Sequence, residues 1–385
     1  MLPLTVWMNY PSLHQGDLFR AMASIEGIEM EVIFARGLPD QRRRLGWRAD
    51  LQGYRHRFLR QGVRVVDAMR VAWSQRRRFH IVSGIWGEPS FTAALLVLAA
   101  TGSRYVIYSE APEPNLSRPF IRRALRTFFG KLLGPRATGA LSISNMAVEF
   151  FQTLGISSQS IYPFGYFRSN PTLEHEPRSN DPNRLEIVFC GQIIHRKGID
   201  LLIDSLRPIF EVQPNVFLTI IGTGELESRF KSLLEESGLS DRVVFEGVVA
   251  LERVRERIAR TDILVLPSRW DGWGMVVNEA LSVGVPVVVS DRCGAADLIL
   301  SGKNGFVFRS GDVDDLRRCL RRLLELKSQW PVFRANASAT GFRISVEQVA
   351  PYLRDCLMHM TGRLRERPDP PWNRLDVVEP VSVTK

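Results

Sequence analysis

Two carboxylates, Asp271 and Glu279, lie eight positions apart in the segment "PSRWDGWGMVVNEALSVGVPVVVSD", residues 267–291. The segment otherwise consists largely of glycine, tryptophan and small apolar residues, as in a stretch that folding buries. A carboxylate among apolar neighbours is costly unless it is hydrogen-bonded. The two acids therefore mark a candidate site at which polar groups of a ligand meet the protein.

The elements predicted around this segment place both acids at one edge of a sheet. The strand "DILVLP" (262–267) runs into "SRWDGWG" and then into a helix that begins near Met275. In open parallel α/β sheets, ligands bind beyond the carboxyl ends of the strands. Asp271 follows such an end, and Glu279 lies one turn into the helix, on the face that it shares with Met275.

Two further predicted strands carry polar residues at their carboxyl ends. The strand "LEIVFC" (185–190) runs into "GQIIHRKG", which brings four polar side chains to the same edge: Gln192, His195, Arg196 and Lys197. In the first half, "LTVWM" (4–8) runs into "NYPSLHQGD", which brings three residues to the edge of another sheet: His14, Gln15 and Gly16. We interpret His195 as an exposed loop histidine. The others can form one ligand site if the two edges face each other across a cleft.

The residue types around the two acids suit a nucleotide diphosphate. Gly272 and Gly274 let the backbone approach a ligand closely. The free amides of the helix that opens at Met275 suit a phosphate, and Lys197 supplies a point charge to the same group. Glu279, on its apolar helix, then finds a natural partner in the vicinal hydroxyls of a ribose.

Taken together, these motifs resemble the retaining glycosyltransferases of family 4. The family signature, an acidic residue, seven others and then Glu, reads here Asp271-x7-Glu279 and precedes "LILSGKNGFVF". The second match is "FCGQIIHRKGIDLLIDSL", similar to the Gly-Arg-Leu…Lys-Gly segment of the family, and the third is "LTIIGTGEL". The resemblance covers about residues 185–325, and the first half only in outline. It implies the GT-B fold, an α/β architecture of two facing Rossmann-like doubly wound domains with a deep interdomain cleft.

The resemblance also implies a role for each residue at the two edges. As candidate catalytic residues, Glu279 would hold the ribose, Lys197 the diphosphate, and Asp271 the hydroxyls of the transferred sugar. The remaining candidates for donor binding are Gly16 in an amino-terminal glycine loop, Gln192, Arg196, Gly272, Gly274, Met275 and Val276. His14 and Glu110 are candidate contacts for the acceptor.

Two residues depart from the family pattern. Asp271 stands where the family usually has Glu, which shortens the reach of the carboxylate toward the sugar. Gln192 stands where the family has a phosphate-binding Arg, so one positive charge is missing. We expect the neighbouring Arg196 to replace that charge.

The mechanism implied by the resemblance is retention of anomeric configuration through a front-face displacement. The leaving diphosphate accepts the proton of the acceptor, so no dedicated protein base, cofactor or obligatory metal is needed. The predicted function is transfer of a sugar from a nucleotide-diphosphate sugar to a glycan or lipid-linked acceptor, in cell-surface polysaccharide biosynthesis. Two rival classes stay open: a nucleotide-sugar epimerase or sugar phosphorylase of the same architecture, and a non-catalytic basic protein that binds membrane or nucleic acid.

The chain of 385 residues is longer than one core usually serves. Short apolar strands alternate with helices in both halves, which is typical of parallel sheets covered on both faces. We predict an N-terminal acceptor-binding domain over 1–168, a linker over 169–184 and a nucleotide-sugar-binding domain over 185–345. A helix and tail over 346–385 are expected to cross back to the first domain.

Cysteine usage and hydropathy indicate the compartment. The four cysteines lie far apart without a Cys-x-x-Cys pair, which argues against a zinc site and a disulfide framework and fits a reducing compartment. The amino terminus lacks the pattern of a signal peptide, and the longest apolar run, 91–100, is about half as long as a spanning helix. We therefore expect a cytoplasmic protein.

The positive charge is concentrated in the first half. Residues 1–170 contain 22 Lys and Arg against 11 Asp and Glu, a net charge of +11 against +10 for the whole chain, which indicates an anionic partner. In "RPFIRRALRTFFGKLLG" (118–134), apolar residues spaced three and four apart alternate with basic ones, which predicts an amphipathic helix. This helix either lies peripherally on an anionic inner membrane face or packs against the sheet. Nucleic acid is not expected, since no nucleic-acid module is recognised.

Overall fold

The computed structural model describes residues 1–44, 47–49, 51–85, 88–114, 120–170 and 184–373. These residues form two compact units, the first made of Met1–Ser169 and Ser345–Pro371 and the second of Asn170–Ile344 and the residues from Trp372 onward. Each unit contains one parallel sheet covered by helices, which confirms the predicted α/β class with two Rossmann-like domains. Most of the predicted linker (171–183) and the end of the predicted tail (374–385) lie outside the described residues.

The elements alternate along the chain as the sequence predicts. The strands are β1 (Leu2–Met8), β2 (Ile28–Phe34), β3 (Arg55–Phe58), β4 (Phe79–Ser83), β5 (Tyr105–Glu110), β6 (Gly139–Ile143), β7 (Ile161–Phe164), β8 (Leu185–Cys190), β9 (Val216–Ile221), β10 (Val243–Gly247), β11 (Ile263–Leu266), β12 (Val287–Ser290) and β13 (Gly305–Phe308). The helices are α1 (Leu13–Ala23), α2 (Asp40–Arg44), α3 (Arg64–Ser74), α4 (Pro89–Ala100), α5 (Phe120–Leu133), α6 (Met146–Thr153), α7 (Ile199–Val212), α8 (Glu227–Glu236), α9 (Leu251–Ala259), α10 (Met275–Ser282), α11 (Val313–Glu325), α12 (Trp330–Arg343) and α13 (Val346–Met360).

The first sheet has the strand order β3-β2-β1-β4-β5-β6-β7, and all of its neighbouring strands are parallel. Alternate residues of a strand point to opposite faces, so Trp7 and Ile33 join one core and Leu4 and Val6 the other. Helices α3, α4, α5 and α6 contribute to the first core. Helices α1 and α13 pack side by side on the opposite face.

Strand β3 is absent from the sequence prediction because "RHRF" has no apolar run. It lies at the edge of the first sheet, pairs only with β2, and buries none of its four side chains. Positive charge on an edge strand also discourages pairing with strands of other molecules. Backbone hydrogen bonds to β2, and not hydrophobic burial, therefore hold this strand in place.

The second sheet has the order β10-β9-β8-β11-β12-β13 and is also parallel. The two strands predicted at the candidate site, 185–190 and 262–267, are present as β8 and β11, shifted by at most one residue at either end. Helices α7, α8 and α11 share one large core with the sheet, whereas α9 and α12 each pack against α10. Because all six strands are parallel, their carboxyl ends meet at one edge.

Helix α12 is also absent from the sequence prediction, because "WPVFRANASATGFR" has no apolar stripe. Its contact with α10 uses small residues: a Cβ on Gly341 would overlap the carbonyl oxygen of Leu281, and a Cβ on Gly284, just after α10, would overlap Ser338 Oγ. This close approach of two backbones needs a small residue, and small residues leave little hydrophobic pattern in a sequence. Helix α10, which carries Glu279, is thus supported from behind by a tightly packed neighbour.

Among the described residues, no helix combines the length and the hydropathy needed to cross a bilayer. Within the same ranges, no three His, Cys, Asp or Glu side chains come together as metal ligands would. The four cysteines are free thiols.

Candidate functional site

The second unit contains an ion pair between Lys197 and Asp271 at the carboxyl edge of its sheet. Lys197 ends the short 3₁₀ turn after β8, and Asp271 lies in the loop after β11, so two adjacent strands supply the pair. The two side chains are 15% and 14% exposed. The pair is therefore largely shielded from water but still open to a ligand that binds where the strands end.

Glu279 lies in α10, one turn after Met275, and is only 3% exposed. Burial and then the negative charge of Glu279 raise the pKa of the Cys190 thiol to about 12, while Lys197 acts in the opposite direction. Glu279 and Lys197 therefore share one electrostatic neighbourhood at the end of β8. Cys190 stays protonated at neutral pH and is a poor nucleophile.

The loop that carries Asp271 is bonded to the loop after β12. The Asp271 amide donates to the Arg292 carbonyl (2.9 Å), and the Gly294 amide donates to the Asp271 carbonyl (3.0 Å). The Ala295 amide donates to the carbonyl of Trp273 (2.7 Å). These bonds fix the position of Asp271 through its backbone, so its carboxylate remains available to Lys197 and to a ligand.

Two arginines connect the loop after β8 to the loop after β11. Arg196 donates through Nη1 to the carbonyl of Trp270 (2.7 Å), and the Arg269 amide donates to the carbonyl of Arg196 (2.8 Å). Arg269 also donates to both carboxylate oxygens of Asp200, at 2.8 and 2.6 Å. Burial raises the pKa of Asp200, but the hydrogen bonds and charge of Arg269 outweigh it, so this pKa lies below its ordinary value. Arg196 is thus anchored to a loop backbone, and its expected phosphate contact stays a prediction.

Gly274 caps α10 and has a φ of 94°, in the left-handed region that favours glycine. A Cβ at this position would lie 2.5 Å from Cys293 Sγ and 2.7 Å from Leu266 Cδ2. Only glycine fits both the backbone conformation and the space. The cap leaves the first amides of α10, including those of Met275 and Val276, without carbonyl acceptors inside the helix.

The "GTGE" turn after β9 supports the loop that carries Gln192. A Cβ on Gly222 would overlap the carbonyl oxygen of Gly191, and a Cβ on Gly224 would overlap that of Ile193. This motif is therefore a tight turn between β9 and α8. Its glycines allow two loops to touch through their backbones.

Arg292 is a cation at this edge that the sequence analysis missed. It follows β12, is exposed, and shares a backbone hydrogen bond with Asp271. Its guanidinium forms no ion pair with any residue that the structure describes. The available signal was its place directly after the predicted strand "VPVVVS", as Lys197 and Asp271 follow theirs. Gln192 and His195 are also exposed, each in the loop after β8.

In the first unit, His14 and Gly16 lie in the first turn of α1, which begins at Leu13. The Ser12 hydroxyl accepts from the His14 amide (3.3 Å), and the Gly16 amide donates to the Ser12 carbonyl (3.2 Å). The expected glycine loop is therefore wrong at Gly16, because the serine cap starts the helix before it. The His14 ring stands edge-on to Trp47, with 4.8 Å between the ring centroids.

Glu110 ends β5, and its Oε1 accepts a hydrogen bond from the Tyr166 hydroxyl at 2.8 Å. Burial, followed by the charge of Glu110, raises the pKa of Tyr166 well above its ordinary value, so the phenol stays protonated and donates. The Tyr108 hydroxyl donates to the Gly165 carbonyl (3.0 Å) and fixes the same segment. Glu110 is thus held in one orientation while remaining partly exposed.

The sequence of the second unit matches a known protein family. Residues 172–340 match the model for glycosyl transferases group 1. The chain is 28% identical over 178 residues to the lipopolysaccharide core biosynthesis mannosyltransferase LpsB of Rhizobium meliloti (strain 1021), a match that covers 44% of this chain and 50% of that protein. It is 31% identical over 173 residues to the sulfoquinovosyl transferase SQD2 of Arabidopsis thaliana, covering 44% and 32%. The chain thus spans half or less of the length of these two curated relatives.

Solved structures share the fold over nearly the whole chain. The lipopolysaccharide outer core galactosyltransferase WaaB, in its apo form, aligns with a TM-score of 0.70 at 19% identity, over 93% of this chain and 99% of that one. Alr3699/HepE of Anabaena, in complex with UDP, aligns with a TM-score of 0.69 at 16% identity, over 93% and 100%. The chain therefore has the GT-B fold, and its residues 172–340 are similar in sequence to the glycosyl transferases group 1 family.

Proposed function

We propose that this chain is a retaining glycosyltransferase of family 4 that transfers a sugar from a nucleotide-diphosphate sugar to a glycan or lipid-linked acceptor. The observation that supports this best is the arrangement of Lys197, Asp271 and Glu279 at one edge of the second sheet. LpsB, named for lipopolysaccharide core biosynthesis, supports a role in making a cell-surface glycan. HepE, solved with UDP and with UDP-glucose, supports a nucleotide-sugar donor.

In this proposal the donor is held along α10. Glu279, which is buried on an apolar helix, accepts hydrogen bonds from the ribose hydroxyls. The amides of Met275 and Val276 and the ammonium of Lys197 bind the diphosphate. Asp271 hydrogen-bonds a hydroxyl of the transferred sugar, and its ion pair with Lys197 keeps both groups in position before the donor arrives.

The transfer breaks the bond between the anomeric carbon and the diphosphate oxygen, and the acceptor oxygen bonds to that carbon from the same face. The proton of the acceptor hydroxyl passes to the departing diphosphate, so the step needs no protein base. Lys197, Arg292 and the α10 amides stabilise the charge that develops on the diphosphate. The proposal requires no bound metal, because these groups already supply positive charge.

We place the acceptor contacts in the first unit. The Glu110 carboxylate, oriented by Tyr166, is suited to hydrogen-bond a hydroxyl of the acceptor. His14 and Trp47 offer a ring pair against which a sugar can lie. We also infer a cytoplasmic site of action at a membrane surface, since the free thiols fit a reducing compartment.

The test is donor hydrolysis and transfer by the purified chain against a panel of nucleotide sugars. We expect Lys197→Ala and Glu279→Ala to lose nearly all turnover while the fold is retained. Because Glu279 is buried, Glu279→Gln is a better-matched variant that keeps the side-chain volume. Lys231→Ala and Glu256→Gln, on exposed helix surfaces of the same unit, serve as controls and should keep full activity.

Three outcomes would refute parts of the proposal. Full activity in Lys197→Ala or Glu279→Gln would refute the site. If NMR shows that the product has the inverted anomeric configuration, retention is refuted. Loss of activity when a metal chelator is added would refute the metal-independent mechanism. Conversion of the donor into another nucleotide sugar, or turnover that requires free phosphate in place of a sugar acceptor, would favour the epimerase or phosphorylase alternative.

A further inference from the structure

Helix α3 presents small residues to the core and large apolar residues to solvent. Its buried residues are Asp67, Ala68, Val71 and Ala72. Its exposed apolar residues, here called the α3 ridge, are Val65 (43% exposed), Val66 (48%), Met69 (43%) and Trp73 (58%). A helix that only covers a sheet has the opposite arrangement, with its apolar stripe facing the core. The outer face of α3 is therefore built for contact with something beyond the first unit.

The ridge is a continuous feature and not a scatter of single residues. Positions 65, 69 and 73 recur every four residues and so form one line along the helix. Among the described residues, thirteen large apolar side chains are exposed, and six of them lie between Phe58 and Trp73. Single exposed apolar residues are ordinary, whereas a contiguous patch marks an interaction surface.

The charged side chains around the ridge are positive. Four arginines in or directly after α3 form no ion pair with any described residue: Arg64, Arg70, Arg76 and Arg77. The Arg76 guanidinium lies over the Trp73 ring, 5.0 Å from its centroid. The one acid of the helix, Asp67, is buried and accepts a hydrogen bond from the Arg60 amide (3.0 Å). The ridge therefore offers apolar surface and free positive charge together.

The two neighbouring helices extend this face. Helix α4 packs beside α3, α5 contacts α4, and all three contribute to the same core of the first sheet. The sequence of α4 contains no charged residue, and that of α5 contains no acid. Leu125 and Phe128 of α5 are 49% and 63% exposed. The outer layer of the first unit thus presents apolar and basic groups without an exposed acid in any of these helices.

We propose that the α3 ridge docks the first unit on a bilayer that contains anionic lipids. Met69 and Trp73 would enter the interface between headgroups and acyl chains, while Arg70 and Arg77 bind headgroup phosphates. Charge complementarity favours a bilayer over a protein partner. The apolar side chains of these helices match the acyl chains of the lipids, and the arginines beside them, which form no ion pair with any residue that the structure describes, match the anionic headgroups. This inference does not rest on the proposed sugar transfer.

The experiment is co-sedimentation of the full chain with vesicles of phosphatidylcholine alone and of phosphatidylcholine mixed with phosphatidylglycerol. We expect binding to the mixed vesicles only, weakened by salt. Replacing Arg70 and Arg77 by Gln should weaken it by about five-fold per arginine. The double variant Met69→Ser with Trp73→Ser should lose at least about ten-fold. Because these side chains are exposed, the variants should keep the fold.

The matched control is Val212→Ser with Phe342→Ser, which removes two equally exposed apolar side chains from the second unit and should bind as the unchanged chain does. Failure of the unchanged chain to bind the mixed vesicles would overturn the proposal. Equal binding by the Met69 and Trp73 double variant would also overturn it. If sedimentation equilibrium without vesicles shows a dimer that this variant abolishes, the ridge is a contact between two copies, and the proposal is wrong. Donor hydrolysis by the soluble variants provides a separate readout of the proposed function.

Discussion

At the scale of single residues, the cations around Asp271 differ in how the fold uses them. Arg269 binds Asp200, and Arg196 binds a loop carbonyl, so both connect parts of the protein. Lys197 pairs with the candidate catalytic carboxylate itself. Arg292 is exposed and has no ion partner among the described residues. It is therefore the residue best placed to supply the positive charge that Gln192 lacks.

We predict that Arg292→Gln raises the KM for the nucleotide-sugar donor by about ten-fold, since a hydrogen bond to a charged group contributes about 1.5 kcal/mol or more. The turnover number should fall less, because Lys197 and the α10 amides remain. The measurement is initial rates at varied donor concentration. Arg253→Gln, an exposed arginine on α9, is the matched control. An unchanged KM in Arg292→Gln would remove this residue from the donor site.

The sequence predicted part of this residue-level arrangement. Three of these residues could be identified because they follow clear apolar strands at the spacing of the family motifs: Lys197, Asp271 and Glu279. The anchoring of Arg196 on the Trp270 carbonyl could not, since it depends on how two loops from different strands meet. The sequence prediction has Gly16 in a loop, although Ser12 is a strong signal for a helix that starts before Gly16.

At the scale of elements, hydrogen bonds connect three loops at the carboxyl edge of the second sheet. The loop after β11 is bonded on one side to the loop after β8 and on the other to the loop after β12. Gly274 is central to this arrangement, because its backbone conformation lets the chain turn from the loop into α10. A change at this glycine should therefore disturb the position of Asp271 and the first amides of α10 together.

We predict that Gly274→Ala strongly lowers activity and destabilises the chain by more than the roughly 1 kcal/mol cost of a left-handed alanine. The added Cβ would collide with Cys293 Sγ and Leu266 Cδ2. Gly238→Ala is a close control, since Gly238 also has a positive φ (66°) but has no atom within 4 Å of the new Cβ. Denaturant unfolding and donor hydrolysis should separate the two variants. Equal effects would show that crowding at position 274 is unimportant.

Element prediction succeeded where burial leaves a pattern and failed where it does not. The central strands of the second sheet, such as β11 and β12, are almost entirely apolar because both of their faces are covered, so they stand out in the sequence. Strand β3 is held by its ladder alone, and α12 makes its contact with α10 through small residues such as Gly341. The ridge on α3 has a related origin: its helical spacing is readable, but which side faces the core depends on the tertiary packing.

At the scale of the whole molecule, a buried histidine links stability to pH. Trp7 Nε1 donates to His80 Nδ1 (3.1 Å), which leaves Nε2 to donate to the carbonyl of Gln75 (3.1 Å). Burial lowers the pKa of His80 from 6.5 to about 4, with a backbone hydrogen bond to Gln75 acting in the opposite direction. Protonation at Nδ1 would break the bond from Trp7. The folded state therefore favours neutral His80.

We predict that this histidine contributes about 3 kcal/mol to the free energy of unfolding at neutral pH. Because the folded pKa is the lower one, the contribution is complete above pH 6.5 and is lost as the pH falls toward about 4. Urea unfolding at a series of pH values measures it. His80→Gln, which does not titrate, should show a flatter profile below neutrality whatever its absolute stability. A profile as steep as that of the unchanged chain would assign the acid sensitivity elsewhere.

Neither unit is one uninterrupted stretch of the chain. The second joins Asn170–Ile344 to the residues from Trp372 onward, and the first joins Met1–Ser169 to Ser345–Pro371. Near the end of the later stretch, Arg363 Nη1 donates to the carbonyl of Met1 at 3.4 Å. A rearranged gene could place the codons for 345–371 before codon 1, joined through a short peptide. It would then encode the first unit as one continuous stretch. Residues 170–344, which make up most of the second unit, could then be encoded by a separate gene.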